Sequence, residues 1–254
     1  MSYLPKTILI TGATSDFGIA FAKKYDASGA EKIYLHGRDE DKLQKLQHML
    51  RCETEIIVCD LTDNAAIDTA FADLKDIDLL INNAGGALGL EKVHEANLDD
   101  WDHMIQVNVS ALIRITRHIV PHMVERKSGH IINISSVAGS WPYPGGHVYC
   151  ASKSFVTQFS LAMRSDLVGT KVRVTSIEPG LVQTDFSLKR FKGDQEKADA
   201  VYADTRPLKA EDIAETVFFA SAMPEHANIT RLEIMATEQA TGPFTIYRDA
   251  NLTA

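Results

Sequence analysis

The sequence predicts a single α/β domain, a doubly wound parallel sheet of about seven strands with helices on both faces. Three observations carry that expectation. Short, almost wholly apolar runs alternate with longer amphipathic runs, as strands buried on both faces require. A glycine-rich turn follows the first apolar run and opens the first helical one. No Pro/Ser-rich linker, charge block or repeat divides the 254 residues, so residues 1–254 read as one domain.

Thr7-Ile8-Leu9-Ile10 opens the sheet and a helical pattern over 17–28 follows it. Lys32-Ile33-Tyr34-Leu35 and Glu55-Ile56-Ile57-Val58 read as the next strands, separated by a helix over 39–50. After a helix over 64–74 come Asp78-Leu79-Leu80-Ile81, a long helix over 102–126 and the strand His130-Ile131-Ile132-Asn133-Ile134. A helix over 149–168, the strand Val172–Ile177, a helix over 211–222 and the strand Thr230–Met235 complete the series. Alternation of this kind makes a parallel sheet, not an all-β or all-helical fold. Two stretches break the rhythm. Residues 185–209 are long for a connection and suit an active-site lid, and a tail of 236–254 follows the last strand.

Composition excludes several function classes. There are 26 Lys+Arg against 34 Asp+Glu, a formal charge of −8, which argues against a nucleic-acid or anionic-membrane surface. Cys52, Cys59 and Cys150 form no CxxC or framework spacing, so neither a disulfide scaffold nor a metal site is expected. The N-terminal residues carry no signal-peptide pattern and no run approaches the ~20 apolar residues of a membrane span, which points to the cytoplasm.

The turn Thr11-Gly12-Ala13-Thr14-Ser15-Asp16-Phe17-Gly18-Ile19 lets the backbone approach a pyrophosphate seated on a helix N-terminus. Gly12 and Gly18 hold the outer positions of a TGxxxGxG pattern, while Asp16 stands at the middle glycine. A carboxylate there repels phosphate unless it turns to solvent or caps the helix. After the second strand, Gly37 offers no carboxylate for a ribose 2′-hydroxyl, and Arg38 suits a 2′-phosphate, so the expected cofactor is NADP(H). Arg38 also reads as an exposed residue at a helix start, with Asp39 capping that helix. Asp60-Leu61 follows the third strand, where the carboxylate suits the adenine amino group or an N-cap. Asn83, Ala84 and Gly85 follow the fourth strand, on the same carboxyl edge of the sheet.

Ser136, Tyr149 and Lys153, with Asn108, resemble the catalytic set of the short-chain dehydrogenase/reductase family. The TGxxxGxG turn, the NNAG segment 82–85 and the segment Glu178-Pro179-Gly180-Leu181-Val182-Gln183-Thr184 belong to the same resemblance, which runs from about Thr7 to Met235. It implies a Rossmann-type fold. It implies hydride transfer to or from the nicotinamide of NADP(H), with Tyr149 as acid–base and Ser136 orienting the substrate oxygen. Asn108 would bind a water joining Lys153 to solvent, and Pro179, Gly180, Val182 and Thr184 would hold the nicotinamide. The chemistry of the residues agrees. Tyr149 and Lys153 are four apart on one helix face, and a neighbouring ammonium favours the phenolate, lowering the tyrosine pKa. Cys150 is expected to pack, His147 to sit solvated in a loop, and Trp141 to pack or line the pocket.

Two segments, 138–146 and 190–194, are similar to those of NADP-dependent 3-hydroxy acid dehydrogenases, and sulfoacetaldehyde reductases are also similar. Both imply a small anionic carbonyl or alcohol substrate. Arg190 is the candidate for its anion, with Lys189 and Lys192 adding positive field; the same run also reads as a solvated basic stretch. The tail residues Phe244, Tyr247 and Arg248 could close the pocket or pack on the surface. The resemblance implies a homo-oligomer, a tetramer, with interfaces on the helices around 102–126 and 149–168. A non-catalytic NADP(H) sensor and a reductase of bulky carbonyls are the competing readings. The intact Tyr149–Lys153 pair argues against the first, and the polar lid against the second.

Overall fold

Seven strands, β1 (Thr7–Ile10), β2 (Lys32–Gly37), β3 (Glu53–Val58), β4 (Leu79–Asn82), β5 (Gly129–Ile134), β6 (Val172–Pro179) and β7 (Arg231–Ile234), form one sheet in the computed structural model. The structure describes residues 4–241. The strand order is β3-β2-β1-β4-β5-β6-β7, and every pairing is parallel. The order reverses between β1 and β4, which leaves a crevice over their carboxyl ends where ligands of such sheets bind.

The apolar runs bury both faces by simple alternation. Ile8, Ile10, Ile33, Leu35, Leu79 and Ile81 face one layer with Phe21, Tyr25 and Val217. Leu9, Leu80, Ile131 and Val174 face the other with Phe71, Ile115, Ile119 and Met163. The first layer is built from α1 (Asp16–Ala27), α2 (Glu40–Gln47) and α9 (Ala210–Ser221); the second from α3 (Asn64–Phe71), α5 (Ala111–Arg126) and α6 (His147–Asp166). Helices α1, α2 and α3 are among those that start on side-chain caps. Ser15 accepts from Gly18 N–H, Asp39 from Lys42 N–H, and Asp63 from Ala65 and Ala66 N–H, each cap worth about 1 kcal/mol.

Two boundaries differ from expectation. The helix anticipated over 102–126 is α4 (Leu98–Ile105), a π turn (Gln106–Ser110) and then α5. It starts early because the Asn97 side chain caps it, accepting from Asp99 N–H at 2.8 Å. The lid segment folds into two short helices, α7 (Phe186–Arg190) and α8 (Gln195–Ala200). Of the tail, residues 236–241 are described, and Phe244, Tyr247 and Arg248 lie outside the described residues. Among the described residues no helix is long and apolar enough to cross a membrane, and no cluster of side chains could hold a metal ion.

Candidate active site

A cavity of about 960 Å³ opens at the carboxyl edge of the sheet. Gly12, Thr14, Ser15, Asp16, Phe17, Arg38, Asp60, Leu61, Asn83, Ala84 and Gly85 line one end of it. Gly12 has φ +65°, and a Cβ there would sit 3.1 Å from Ala84 Cα; only glycine lets the two loops close to this distance. Asn83 braces the turn, its amide donating to Thr11 O at 2.8 Å and Gly12 O at 3.0 Å. Gly18 and Ile19 do not line this cavity. A Cβ on Gly18 would collide with Gly12 O and Ala13, and Ile19 packs against the core, so these two seat α1 under the turn.

The donor set fits a dinucleotide phosphate. Arg38 is exposed at the cavity wall and makes no hydrogen bond among the described residues, while Asp39 caps α2 as the alternative reading required. Asp60 is no helix cap; its Oδ1 accepts from Thr62 N–H and Oγ1, both at 2.9 Å. Those bonds, the backbone one first, hold its carboxyl below the ordinary range. Asp16 turns its carboxylate away from the cradle, Oδ2 accepting from Asp185 N–H at 2.7 Å.

At the other end stand Asn108, Ser136, Tyr149 and Lys153, all buried. Ser136 lies two residues beyond β5 and caps a 3-10 turn (Val137–Gly139), accepting from Ala138 N–H at 3.1 Å. Its Oγ donates to Pro179 O at 3.4 Å. Lys153 Nζ donates to Ile134 O at 2.9 Å and lies 5.8 Å from the Tyr149 ring centre. Burial drives the Lys153 pKa down to about 8. The expected lowering of the Tyr149 pKa is not found. Burial pushes that hydroxyl well above its ordinary value, and neighbouring Ser136 and Arg190 offset only part of the rise. Desolvation of the phenolate outweighs the opposing contacts.

Asn108 sits in the π turn with its side chain fully engaged. Oδ1 accepts from Gly86 N–H at 2.9 Å, and Nδ2 donates to Gly86 O at 2.9 Å and Ser152 Oγ at 3.0 Å. It therefore clamps the loop after β4 to α6. Gly85 fills the gap between this clamp and the lysine, since a Cβ there would lie 2.9 Å from Asn108 Oδ1 and 3.4 Å from Lys153 Nζ.

Two residues of α7 pack on the tyrosine. Phe186 lies 5.6 Å from the Tyr149 ring. Arg190 is 9 % exposed, with its guanidinium 5.1 Å over Tyr143 and 5.8 Å from Tyr149. Its Nε donates to Gly89 O at 3.1 Å, and one terminal nitrogen, Nη2, is buried without a hydrogen-bond partner. Such an unpaired buried donor is costly, so the wall presents a ready anion ligand.

The short chain dehydrogenase family profile matches residues 6–195. The chain belongs to the short-chain dehydrogenase family. Its relatives include the NADP-dependent 3-hydroxy acid dehydrogenase YdfG of Salmonella typhi, 48 % identical over 246 residues that cover 95 % of this chain and 99 % of that protein. Sulfoacetaldehyde reductase 2 of Chromohalobacter salexigens is 44 % identical over 249 residues, 95 % of this chain and 98 % of that one. A solved closed form of serine dehydrogenase complexed with NADP+ superposes with TM-score 0.92 at 46 % identity, covering 96 % of this chain and 100 % of the other. Serine dehydrogenase from Escherichia coli superposes with TM-score 0.80 at 43 % identity, over 92 % and 99 % of the two chains.

In this short-chain dehydrogenase several neighbours depart from expectation. Lys192 pairs with Asp100 at 2.7 Å, so its charge is spent on fastening the lid. His147 starts α6 instead of sitting in a loop, its ring 4.9 Å from Trp101. Cys150 packs as expected, buried beside Tyr149 and Ala138. Trp141 lines the cavity, and its indole N–H donates to Glu233 at 3.2 Å. Sequence reasoning missed His36. This buried side chain accepts from Gly12 N–H through Nδ1 at 3.3 Å and donates from Nε2 to Cys59 O at 3.1 Å. Its position directly before Gly37-Arg38 was the available signal, but no pattern distinguishes such a histidine from an ordinary polar strand end.

Proposed function

We propose that this short-chain dehydrogenase is an NADP(H)-dependent enzyme interconverting a small anionic alcohol and its aldehyde, such as a 3-hydroxy acid or serine with its semialdehyde. The observation that carries the reading is the buried Arg190 beside Tyr149, with one guanidinium nitrogen unpartnered. A guanidinium recognises carboxylate or sulfonate by paired, planar donation. The relatives named for 3-hydroxy acid, serine and sulfoacetaldehyde chemistry support an anionic substrate.

Arg38 and the 12–18 turn would hold the 2′-phosphate and pyrophosphate. Asp60, Asn83, Ala84 and Gly85 would line the adenosine side, and Pro179, Gly180, Val182 and Thr184 the nicotinamide. The bound nicotinamide supplies or accepts the hydride. Tyr149, kept protonated by burial at neutral pH, gives its proton to the carbonyl oxygen in the direction of reduction. Ser136 donates to that same oxygen and fixes its place. Lys153, with a pKa near 8, exchanges a proton near neutrality and resupplies the phenol. Arg190 anchors the far end of the substrate, so the carbonyl is held against Tyr149 in one orientation.

Assembly into a homo-oligomer is supported by apolar surface on the two long helices. Ile113 of α5 is exposed, and on α6 Phe155 stacks on Phe159 at 5.6 Å and 15°. The deciding experiment compares NADPH oxidation with malonate semialdehyde, sulfoacetaldehyde and a neutral aldehyde of similar size. Preference for malonate semialdehyde supports the 3-hydroxy acid reading. Preference for sulfoacetaldehyde makes the enzyme a sulfonate reductase, and equal use of the neutral aldehyde refutes the anion site.

A further inference from the structure

The carboxylate at the middle glycine position of the cofactor turn reaches across the cavity mouth to the base of the lid. Ser15 already caps α1 through Gly18 N–H, so Asp16 is released from that duty. Its Oδ2 accepts from the backbone N–H of Asp185 at 2.7 Å, joining positions 169 residues apart. Asp185 stands between Thr184, which lines the cavity, and α7, which carries Arg190. Among the described residues this is the one hydrogen bond between the 12–18 turn and the lid. The far side of the lid has separate fastenings, to Gly89 through Arg190 and to Asp100 through Lys192.

We propose that Asp16 is a positioning residue that fastens the root of the substrate lid to the cofactor turn, so that order in one is transmitted to the other. The inference rests on the functional reading only in assigning the turn to the cofactor and the lid to the substrate. A carboxylate beside a phosphate cradle opposes the cofactor electrostatically. Pointing it at an amide donor keeps the charge engaged away from the cradle and converts it into a tie. Glycine at this position has no side chain to make such a tie, and asparagine keeps an acceptor oxygen without the charge. The two substitutions therefore separate hydrogen bonding from electrostatics.

The test compares wild type, Asp16→Asn and Asp16→Gly by limited trypsin digestion, with and without saturating NADPH. Lys189, Lys192 and Lys197 are exposed and report on the lid. Loss of one charge-assisted hydrogen bond at the surface should speed cleavage of the lid about fivefold in Asp16→Gly and diminish the protection NADPH gives. Asp16→Asn should stay within about twofold of wild type on both counts. In turnover, Asp16→Gly should raise the aldehyde KM about fivefold, a larger factor than its effect on kcat. Wild-type cleavage rates in Asp16→Gly overturn the proposal, as does an Asp16→Asn protein cut as fast as Asp16→Gly. Failure of wild type to bind NADPH, followed by nucleotide fluorescence, refutes the functional reading, while the trypsin rates measured without NADPH still decide the tie.

Discussion

His36 makes the stability of the fold depend on pH in a way that can be worked from the structure. The ring is 2 % exposed, and its two nitrogens bridge the turn after β1 to the end of β3. Because Nδ1 accepts from Gly12, the ring must be neutral, and burial lowers its pKa from 6.5 to about 4. In the window between those values the unfolded chain binds a proton that the folded chain refuses. Stability is therefore full above 6.5 and falls as pH drops toward 4. At about 1.4 kcal/mol per tenfold change in protonation, the loss between about pH 7.5 and about pH 5 is about 2 kcal/mol. Other groups add their own pH dependence, His130 among them with its pKa lowered by burial. The informative quantity is thus the difference between wild type and His36→Asn in urea unfolding at the two pH values and one protein concentration. Wild type should lose about 2 kcal/mol more than the variant. Equal losses would refute a neutral, buried His36. The folded ring stays neutral across that window, so the glycine turn loses its acceptor only as pH approaches about 4.

Lys153 titrates with the same sign at higher pH. Its folded pKa of about 8 lies below the ordinary 10.5, so the unfolded chain holds the extra proton and stability rises with pH between those values. Wild type should gain about 2 kcal/mol relative to Lys153→Met from about pH 7.5 to about pH 9.5, read by denaturant unfolding. Replacing Tyr149 by Phe should cut turnover by a factor of about 100 to 10,000 while the Kd for NADPH moves less than about twofold; near-normal turnover would remove the phenol from the mechanism. Arg190→Gln should lower kcat/KM for the anionic aldehyde about thirtyfold relative to a neutral one, the worth of a charged hydrogen bond in a buried setting.

The sheet was legible because its inner strands are buried on both faces, while the edge strands β3 and β7 are half-exposed. Runs such as Ile8–Ile10 and Leu79–Ile81 leave no polar alternation to misread, and helix starts at Ser15, Asp39 and Asp63 carry their caps in the chain. Tyr149 and Lys153 were legible because their spacing is local to one helix. The contacts that set their protonation are not local. Ile134 O, which holds the ammonium, is nineteen residues from Lys153, and the groups that act on Tyr149, Tyr143 raising its pKa and Arg190 lowering it, with Phe186 packed on its ring, lie on other segments. The sequence reads Arg190 either as the anion ligand of the lid or as part of a solvated basic stretch; its guanidinium lies over Tyr143 while Lys189 beside it is exposed, a difference that neighbouring basic residues do not show in the sequence. Asp60 could be read as a helix cap from its position alone; the real cap, Asp63, lies one turn later.

The π turn at Gln106–Ser110 is also a device of phase. A π turn contains one residue more than an α turn, so α4 and α5 are out of step by about 100° around their common axis. That offset lets one continuous backbone serve two surfaces. Met104 and Trp101 face the small cluster around Tyr149, while Ile115 and Ile119 face the sheet. A straight helix of the same composition could satisfy one surface only. The extra residue sits where Asn108 must reach both Gly86 and Ser152, and so core packing and site geometry are tuned by a single count of residues.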